Sequence, residues 1–322
     1  MKTVANDEGM VLLAEFQIVI QQIGLFVIYM IMGALLVKTK VLNERGIAGV
    51  SAVVIKLALP LLIFTNTLHG VTRTVLFQTW PLLVLAALLY GLLLALGTVA
   101  ANLFHLQTPR RQVFEAVSLF GNVGFMGIPI LTSLFPSRGM LYVAVFSIVD
   151  QLMLWTVGIK LTSGERFDWH KLISPATVGI ALALLMILVG VQLPPYLDGA
   201  LSKVGATATP LALIYLGAVF AGLQIRRYLK CRELYGLVLY KMLILPLLIF
   251  MALQFVPIPA SMRFTLMVLT GMPAMSAIVM LAKHAGSDGD YAVGAVFVTT
   301  IAAIFTLPII CWIAVQWLLP LF

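Results

Sequence analysis

Two runs of glycine, proline and small polar residues interrupt otherwise apolar stretches of this sequence, at residues 120–129 and 269–276. Proline lacks a backbone N–H and disrupts the preceding helical turn, so each run frees backbone N–H and carbonyl groups. In an apolar environment these groups survive only where they are buried in protein or line a wet cavity. The two runs are therefore candidates for one ligand-binding site.

The glycines and small polar residues of these runs are the candidate ligand contacts. A helix that starts after such a break presents unpaired N–H groups and a positive dipole end, which suits a carboxylate. The alternative is that Gly and Pro, which are common in membrane helices, only kink the two helices. We expect the substrate-binding residues to be Asn122, Gly124, Gly127, Pro129, Thr270, Gly271, Pro273 and Ser276.

Asp150 is the candidate residue for binding a cation, because it is the one acid well inside an apolar stretch. It lies about ten residues, or roughly 15 Å, from the end of that stretch. A charge at such depth is costly and normally functional. Lys56 lies at a similar depth, so Asp150 either pairs with Lys56 or binds H+ or Na+. Gln151 adjoins Asp150, but consecutive helical residues point about 100° apart, so both should not face one ligand squarely.

Three other polar residues within apolar stretches receive structural interpretations. Lys241 lies nearer the end of its stretch, and we expect its side chain to extend to the membrane surface. Thr299 and Thr300 are expected to serve helix packing.

The elements that carry these residues are membrane-spanning helices. The 322 residues are 62% hydrophobic and 10% charged, whereas globular proteins have about 25% charged residues. The apolar blocks can each cross about 30 Å of hydrocarbon as a helix, and they lack the alternation of a barrel strand. We predict an all-α polytopic membrane protein with ten spans, at residues 16–37, 46–68, 80–104, 114–135, 139–161, 174–193, 204–224, 233–257, 263–283 and 290–317.

The spans fall into two halves of opposite orientation, separated by a polar linker. Flanking loops on one side hold 13 basic residues against 5 on the other, so the first side faces the cytoplasm and both termini face outward. Five spans per half is an odd number, which predicts inverted repeats. Three landmarks recur in order at spacings of 144, 150 and 151 residues: Pro129 with Pro273, Pro60 with Pro210, and Ala144 with Ala295.

Other classes of function find no support in the sequence. There is no Ser/His/Asp set, no metal-type cluster and no phosphate-binding loop, so we expect neither an enzyme, nor a metal site, nor a cofactor. A basic cluster at residues 226–232 accounts for much of the net charge of +8, and it fits a cytoplasmic loop better than a nucleic-acid partner. The first 15 residues do not resemble a cleaved signal peptide.

Residues 121–129 resemble the span 4 signature of the auxin efflux carrier family. Further segments are similar in the same order, at residues 59–64, 150–155, 210–213, 241–246 and 271–273. The short middle loop resembles that of compact prokaryotic members. The resemblance implies that spans 4 and 9 cross at their broken centres at the midplane, as in the related bile-acid symporter fold. It also implies an organic anion near the crossing, an elevator-type transport domain that moves against a scaffold, and a homodimer.

We therefore predict a secondary active or facilitative transporter of a small organic anion in an inner membrane, surrounded by lipid. The substrate would be a mono- or dicarboxylate, either malonate- or malate-like or an auxin-like weak acid, with H+ or Na+ as the candidate coupling ion. The alternative is a ligand-binding membrane sensor that does not transport. The predicted divisions are an N-terminal tail (1–15), a first repeat (16–161), a cytoplasmic linker (162–173), a second repeat (174–322), scaffold helices (16–68 and 174–224) and transport-domain helices (80–161 and 233–317).

Overall fold

The computed structural model describes residues 21, 24–127, 130–131, 135, 139–163, 175–222 and 225–318. Within these ranges the chain is helical, and its one β-type pairing is an isolated bridge between Gly121 and Ala274. Six helices in this part of the chain are long and apolar enough to cross a membrane, and three shorter apolar helices accompany them. The predicted class, an all-α polytopic membrane protein, is confirmed.

The main helices are numbered here in chain order. They are α1 (Gly24–Lys38), α2 (Glu44–Gly70), α3 (Trp80–Leu103), α4 (Arg110–Leu119), α5 (Leu141–Ser163), α6 (Pro175–Val189), α7 (Pro195–Ala221), α8 (Arg232–Phe255), α9 (Ala260–Thr270), α10 (Ser276–His284) and α11 (Gly289–Leu318). A π-helical turn, Val123–Gly127, follows the first break.

Local sequence explains where the helices start and where they widen. The side chain of Asn43 caps α2 by accepting the N–H of Gly46 at 2.8 Å. Pro60 in α2 and Pro246 in α8 lack the N–H that an α-helix needs. Each follows a wider π-helical segment, Val54–Ala58 in α2 and Val238–Ile244 in α8. A wide turn therefore accommodates these two prolines, and both helices continue through them.

The start of α7 differs from the prediction. The sequence predicts a span at 204–224, but the helix begins at Pro195. Asp198 and Lys203 make the first three turns look too polar to be part of a span. Proline suits the first turn of a helix, and the carboxylate of Asp198 forms a hydrogen bond with Nε2 of His69 at 2.9 Å. Hydropathy marks the apolar part of a helix, and this helix extends beyond it.

Close backbone contacts join α1 to α7. A Cβ atom on Gly33 would lie 1.9 Å from the carbonyl oxygen of Ile214, and one on Gly217 would lie 1.9 Å from the carbonyl oxygen of Met30. Only glycine permits this approach, and small residues are the usual means of helix packing in membranes.

A second set of close contacts joins α2 to its neighbours. A Cβ atom on Gly179 of α6 would lie 3.2 Å from the carbonyl oxygen of Pro60, and one on Gly205 of α7 would lie 2.7 Å from the backbone nitrogen of Leu62. The helices α1, α2, α6 and α7 therefore pack together as one panel. The helices α3, α4, α5 and α8 to α11 pack mainly on one another, and α5 also packs against α2 and α6.

Candidate functional site

The two broken segments bond directly to each other. The backbone N–H of Asn122 donates to the carbonyl of Pro273 at 2.8 Å, and the N–H of Met275 donates to the carbonyl of Phe120 at 3.1 Å. Together they form the isolated antiparallel bridge between Gly121 and Ala274. Backbone groups freed by one break are thus satisfied by the other, which explains how both breaks persist in an apolar interior. We refer to this pairing as the crossing.

The residues that correspond at the crossing differ from those that the repeated prolines suggest. The two hydrogen bonds are related by a local two-fold axis. In this pairing Asn122 corresponds to Met275, since both donate, and Phe120 corresponds to Pro273, since both accept. The sequence landmarks instead matched Pro129 with Pro273. Pro129 lies outside the described residues, so its expected contact with substrate stays a prediction.

Glycine permits the close approach at the crossing. A Cβ atom on Gly121 would lie 2.9 Å from the Cβ of Met272, and one on Gly271 would lie 2.6 Å from the side chain of Ile310. Gly127 similarly faces Leu269, because a Cβ atom on Gly127 would lie 2.9 Å from the side chain of Leu269. Gly127 and Gly271 therefore allow the helices to pack here, and Pro273 contributes its carbonyl to the crossing.

Thr299 of α11 holds the second break in place. Its hydroxyl oxygen accepts the backbone N–H of Ala274 at 3.0 Å and donates to the carbonyl of Ala295 at 2.7 Å. The sequence suggested a packing role, and the structure adds this contact to the crossing. Thr270, by contrast, donates to the carbonyl of Leu266 in its own helix at 2.6 Å, and it lines neither of the two cavities described below.

Replacing Thr299 with valine should destabilise the crossing, because the buried N–H of Ala274 would lose its acceptor at nearly constant side-chain volume. We expect a loss of about 1–3 kcal/mol, measured by thermal unfolding of the purified protein in detergent. Thr299→Ser should retain most of the stability. Thr270→Val is the matched control, since that hydroxyl bonds only within its helix; equal losses in the Thr299→Val and Thr270→Val variants would contradict the role assigned to Thr299.

A polar cavity lies beside the crossing, between α2 and α5. Its volume is about 70 Å³, enough for several water molecules. The crossing contributes Asn122, Gly124 and Met275 to its wall. Its other polar lining residues are Asn66 and Thr67 from α2 and Ser147, Asp150 and Gln151 from α5.

The polar residues that α5 contributes to this cavity share one helix face. Ser147, Asp150 and Gln151 lie at positions i, i+3 and i+4, which are neighbours on a helix surface. Asp150 and Gln151 both line the cavity, although consecutive helical residues point about 100° apart. The amide of Gln151 reaches back and donates to the carboxylate of Asp150 at 2.9 Å. The i, i+3, i+4 spacing is the sequence signal that could have revealed this face.

Asp150 is fully buried and has two donors. Besides Gln151, the hydroxyl of Tyr90 on α3 donates to its carboxylate. The ring of Tyr90 packs against Phe120, with ring centroids 5.9 Å apart. Asp150 is therefore linked through Tyr90 to the residue whose carbonyl takes part in the crossing. Nothing in the sequence around Tyr90 pointed to this contact.

The suggested pairing of Asp150 with Lys56 is wrong. Lys56 is exposed, and the side chains that bond Asp150 are those of Tyr90 and Gln151. The expectation for Lys241 is also wrong: its side chain is 1% exposed, and it donates to the carbonyls of Val117 and Phe120. Depth along a helix can be estimated from sequence, but the direction that each lysine faces cannot.

A second cavity of about 50 Å³ lies across the crossing, between α1, α7 and α11. Asn122 lines this cavity too, together with Ser276 and Thr300, and the remaining lining is apolar. Ser276 is the first residue of α10, and its hydroxyl is buried with no hydrogen-bond partner in the described part of the chain. Asn122 and Ser276 therefore line the second cavity together, and Asn122 also lines the first.

Helices that break, cross and border a polar cavity define the class of integral membrane transporters. A family model described as "Membrane transport protein" matches residues 18–172 and 161–311. The chain belongs to this family, which is the auxin efflux carrier family that the first broken segment resembles. It is thus a multi-pass membrane transport protein.

Two archaeal relatives are similar along most of their length. An uncharacterized transporter of Methanothermobacter thermautotrophicus is 25% identical over 301 residues, which cover 88% of this chain and 94% of the relative. An uncharacterized transporter of Methanocaldococcus jannaschii is 22% identical over 288 residues, which cover 85% of this chain and 91% of the relative.

Proposed function

We propose that this protein is a secondary carrier that binds a small organic anion at the crossing, in the cavity between α2 and α5. The observation that carries the proposal is the direct bonding of two broken helices beside that polar cavity. In secondary carriers, substrate and coupling ions bind where broken helices meet at the centre of the membrane.

Asn122 and Gly124 are the proposed substrate contacts in this cavity, with Ser276 contacting substrate from the other side of the crossing. An added Cβ on Gly124 would meet no described heavy atom within 4 Å, so a ligand can approach its backbone. Ser276 begins a nine-residue helix whose N-terminus favours negative charge. Thr270, Gly271, Pro273 and Gly127 act by shaping the crossing.

The lining of the cavity favours one carboxylate over two. Its described lining residues include no arginine or lysine, so a dianion would lack a cationic partner for its second carboxylate. A monocarboxylate or another weak acid therefore fits better than malonate or malate.

The proposed architecture is ten spans in two inverted repeats, with the panel of α1, α2, α6 and α7 as scaffold. The cavity lies where this panel meets α5 and the crossing. An elevator-type movement of α3 to α5 and α8 to α11 against the panel would therefore carry the site past α2. We propose an inner-membrane location with both termini outside, because the more basic set of loops would then face the cytoplasm. We extend the proposal to a homodimer formed through the panel.

Asp150 is the proposed coupling residue, with Gln151 orienting its carboxylate. An ionised Asp150 would repel an anion in the same buried cavity, because charges interact strongly where water is scarce. Binding of H+ or Na+ at Asp150 would remove that repulsion. Anion and cation would then bind together and be transported together.

The test replaces Asn122 with alanine and measures uptake of radiolabelled malonate, malate and indole-3-acetate into proteoliposomes. A hydrogen bond to a charged group contributes about 1.5–3 kcal/mol, so the initial rate for the transported anion should fall about tenfold or more. Asn102→Ala is the matched control, because Asn102 is exposed near the end of α3. Normal uptake by a folded Asn122→Ala variant would refute the proposed contact.

A membrane sensor that binds a ligand without moving it is the second candidate function. Counterflow separates the two, because a carrier preloaded with unlabelled substrate exchanges it for labelled substrate. A sensor gives no counterflow. Saturable exchange would also exclude a passive channel.

A further inference from the structure

A third cavity, of about 490 Å³, lies where α2 and α6 end and α7 begins. It shares no lining residue with the two cavities at the crossing. The loop charges predict that these helix ends face outward. Cavities that bind organic molecules measure about 300–1,000 Å³, so this one has the size of a ligand site.

A glycine turn after α6 forms one wall of this cavity. Gly190 has a φ of 80°, a left-handed conformation that glycine adopts readily. The backbone N–H groups of Gly190 and Val191 both donate to the carbonyl of Met186, at 2.8 Å and 3.0 Å. The turn is therefore fixed by its own backbone, and it places Gln192 and Leu193 in the wall.

Two opposite charges line the cavity without pairing with each other. Both carboxylate oxygens of Asp198 lie 2.9 Å from Nε2 of His69. A carboxylate has about four lone-pair sites, and the Asp198 side chain is 31% exposed, so it can accept further hydrogen bonds. Arg73, in the connection from α2 to α3, is exposed and forms no ion pair with any described residue. The cavity thus offers one guanidinium and one carboxylate to the same ligand.

Exposed aromatic residues indicate that this cavity lies at the boundary between lipid and water. Trp80 is 61% exposed at the start of α3, and Tyr196 is 80% exposed at the start of α7. Trp and Tyr are enriched at that boundary, at the level of the lipid headgroups. The apolar part of the lining includes Leu68, Val71, Met186 and Ile187.

An exposed apolar stripe on α6 leads to the cavity. It consists of Val178, Leu182, Leu185 and Val189, which repeat at helical spacing and are 47–67% exposed. From residue 178 to residue 189 a helix rises roughly 16 Å, about half of the ~30 Å hydrocarbon core. One acyl chain of a single leaflet can therefore lie along this stripe, below a headgroup in the cavity.

We propose that this cavity binds the headgroup of phosphatidylethanolamine, a phospholipid with a phosphate and a primary ammonium. The phosphate pairs with the guanidinium of Arg73, whose planar donors suit phosphate oxygens. The ammonium donates to the carboxylate of Asp198, and one acyl chain lies on the stripe of α6. An anionic headgroup has no group for Asp198, so the two separated charges favour the zwitterion.

The experiment is native mass spectrometry of the purified protein in detergent, titrated with lipids that have identical dioleoyl chains. We expect one saturable site that binds phosphatidylethanolamine more tightly than phosphatidylglycerol or phosphatidylcholine. Phosphatidylglycerol lacks the ammonium, and phosphatidylcholine has methyl groups in place of its N–H donors. Arg73→Gln should weaken the binding of phosphatidylethanolamine about fivefold, because the phosphate loses its cationic partner.

A second variant tests the choice between headgroups. Asp198→Asn keeps an acceptor for His69 but removes the charge, so it should bind phosphatidylethanolamine no more tightly than phosphatidylglycerol. Lys203→Gln is the matched control, because Lys203 is an exposed cation of α7 that does not line the cavity; its lipid binding should equal that of the wild type.

Three outcomes would each overturn the proposal. They are a wild-type protein without preference for phosphatidylethanolamine, an Arg73→Gln variant that binds it at wild-type affinity, and an Asp198→Asn variant that keeps the preference. Lipid binding in detergent involves neither the crossing nor transport. Failure here therefore leaves a positive uptake result standing, and failure of the Asn122→Ala uptake test leaves the lipid site standing.

Discussion

An Asp150→Asn variant is expected to take up organic anion at a rate that no longer depends on pH or sodium, and to lose accumulation against a gradient. Asparagine preserves the size of the side chain and an oxygen that can accept the Tyr90 hydroxyl, but it carries no charge. The repulsion that H+ or Na+ would relieve at Asp150 is then permanently absent. Wild-type uptake should instead increase with the coupling ion, for a proton by at most about tenfold per pH unit if one proton accompanies each anion.

The measurement is uptake into proteoliposomes with imposed pH or sodium gradients, together with counterflow in their absence. Counterflow should persist in Asp150→Asn, because exchange of bound anion needs no net coupling. Asp150→Ala should also lose stability, by about 1–3 kcal/mol, since the buried Tyr90 hydroxyl would lack its acceptor. Gradient-driven accumulation by Asp150→Asn at the wild-type level would show that Asp150 is a structural residue.

Gly217→Ala is expected to disrupt the panel of α1, α2, α6 and α7. The added methyl carbon would lie 1.9 Å from the carbonyl oxygen of Met30 and 2.5 Å from its carbonyl carbon. Both are backbone atoms, so no side-chain rotation can relieve the overlap, and α1 must move away from α7. Overpacking typically costs about 1–3 kcal/mol, and a clash between two backbones should reach or exceed the upper end.

Folded yield after size-exclusion chromatography and the melting temperature together measure this effect. Gly91→Ala in α3 is the matched control, because an added Cβ there meets no heavy atom within 4 Å among the described residues. It should leave yield and melting unchanged or slightly raised, since alanine is the better helix former. If Gly217→Ala proves as stable as Gly91→Ala, α1 and α7 do not pack as closely as described.

Much of this arrangement could be predicted because few backbone structures can span a membrane. Long apolar stretches must be helices, and breaks within them stand out as Gly and Pro runs. Asp150 could likewise be singled out, because a carboxylate inside a span is rare. Its burial in the cavity wall agrees with that choice, while its role in coupling stays a prediction.

The direction of side chains around each helix could not be predicted in the same way. Lys56 and Lys241 both lie well inside apolar helices, yet one is exposed and the other buried. Each lies in a π-helical segment, Val54–Ala58 or Val238–Ile244, where the extra residue per turn rotates all later side chains. Hydropathy does not detect such a turn. Side-chain directions counted at 3.6 residues per turn are therefore wrong beyond it in either helix.

The register of the crossing was equally hidden. Gly and Pro mark the places where a helix breaks. However, the number of residues between each proline and the residues that bond at the crossing differs in the two segments. The bridge of Gly121 with Ala274 depends on two backbone hydrogen bonds, which no side-chain pattern records. The hydroxyl of Thr299 is bound to this same backbone, so its contact also depended on knowing the register.

The bond from Asn122 to Pro273 joins segments about 150 residues apart, and this separation sets an order of events during synthesis. A ribosome adding ~5–20 residues per second needs roughly 8–30 s to make the intervening chain. Throughout that interval the first break has entered the membrane while its backbone partner has yet to be translated. The nascent first half must therefore keep those polar groups solvated by water, lipid headgroups or the insertion machinery until the second broken segment arrives.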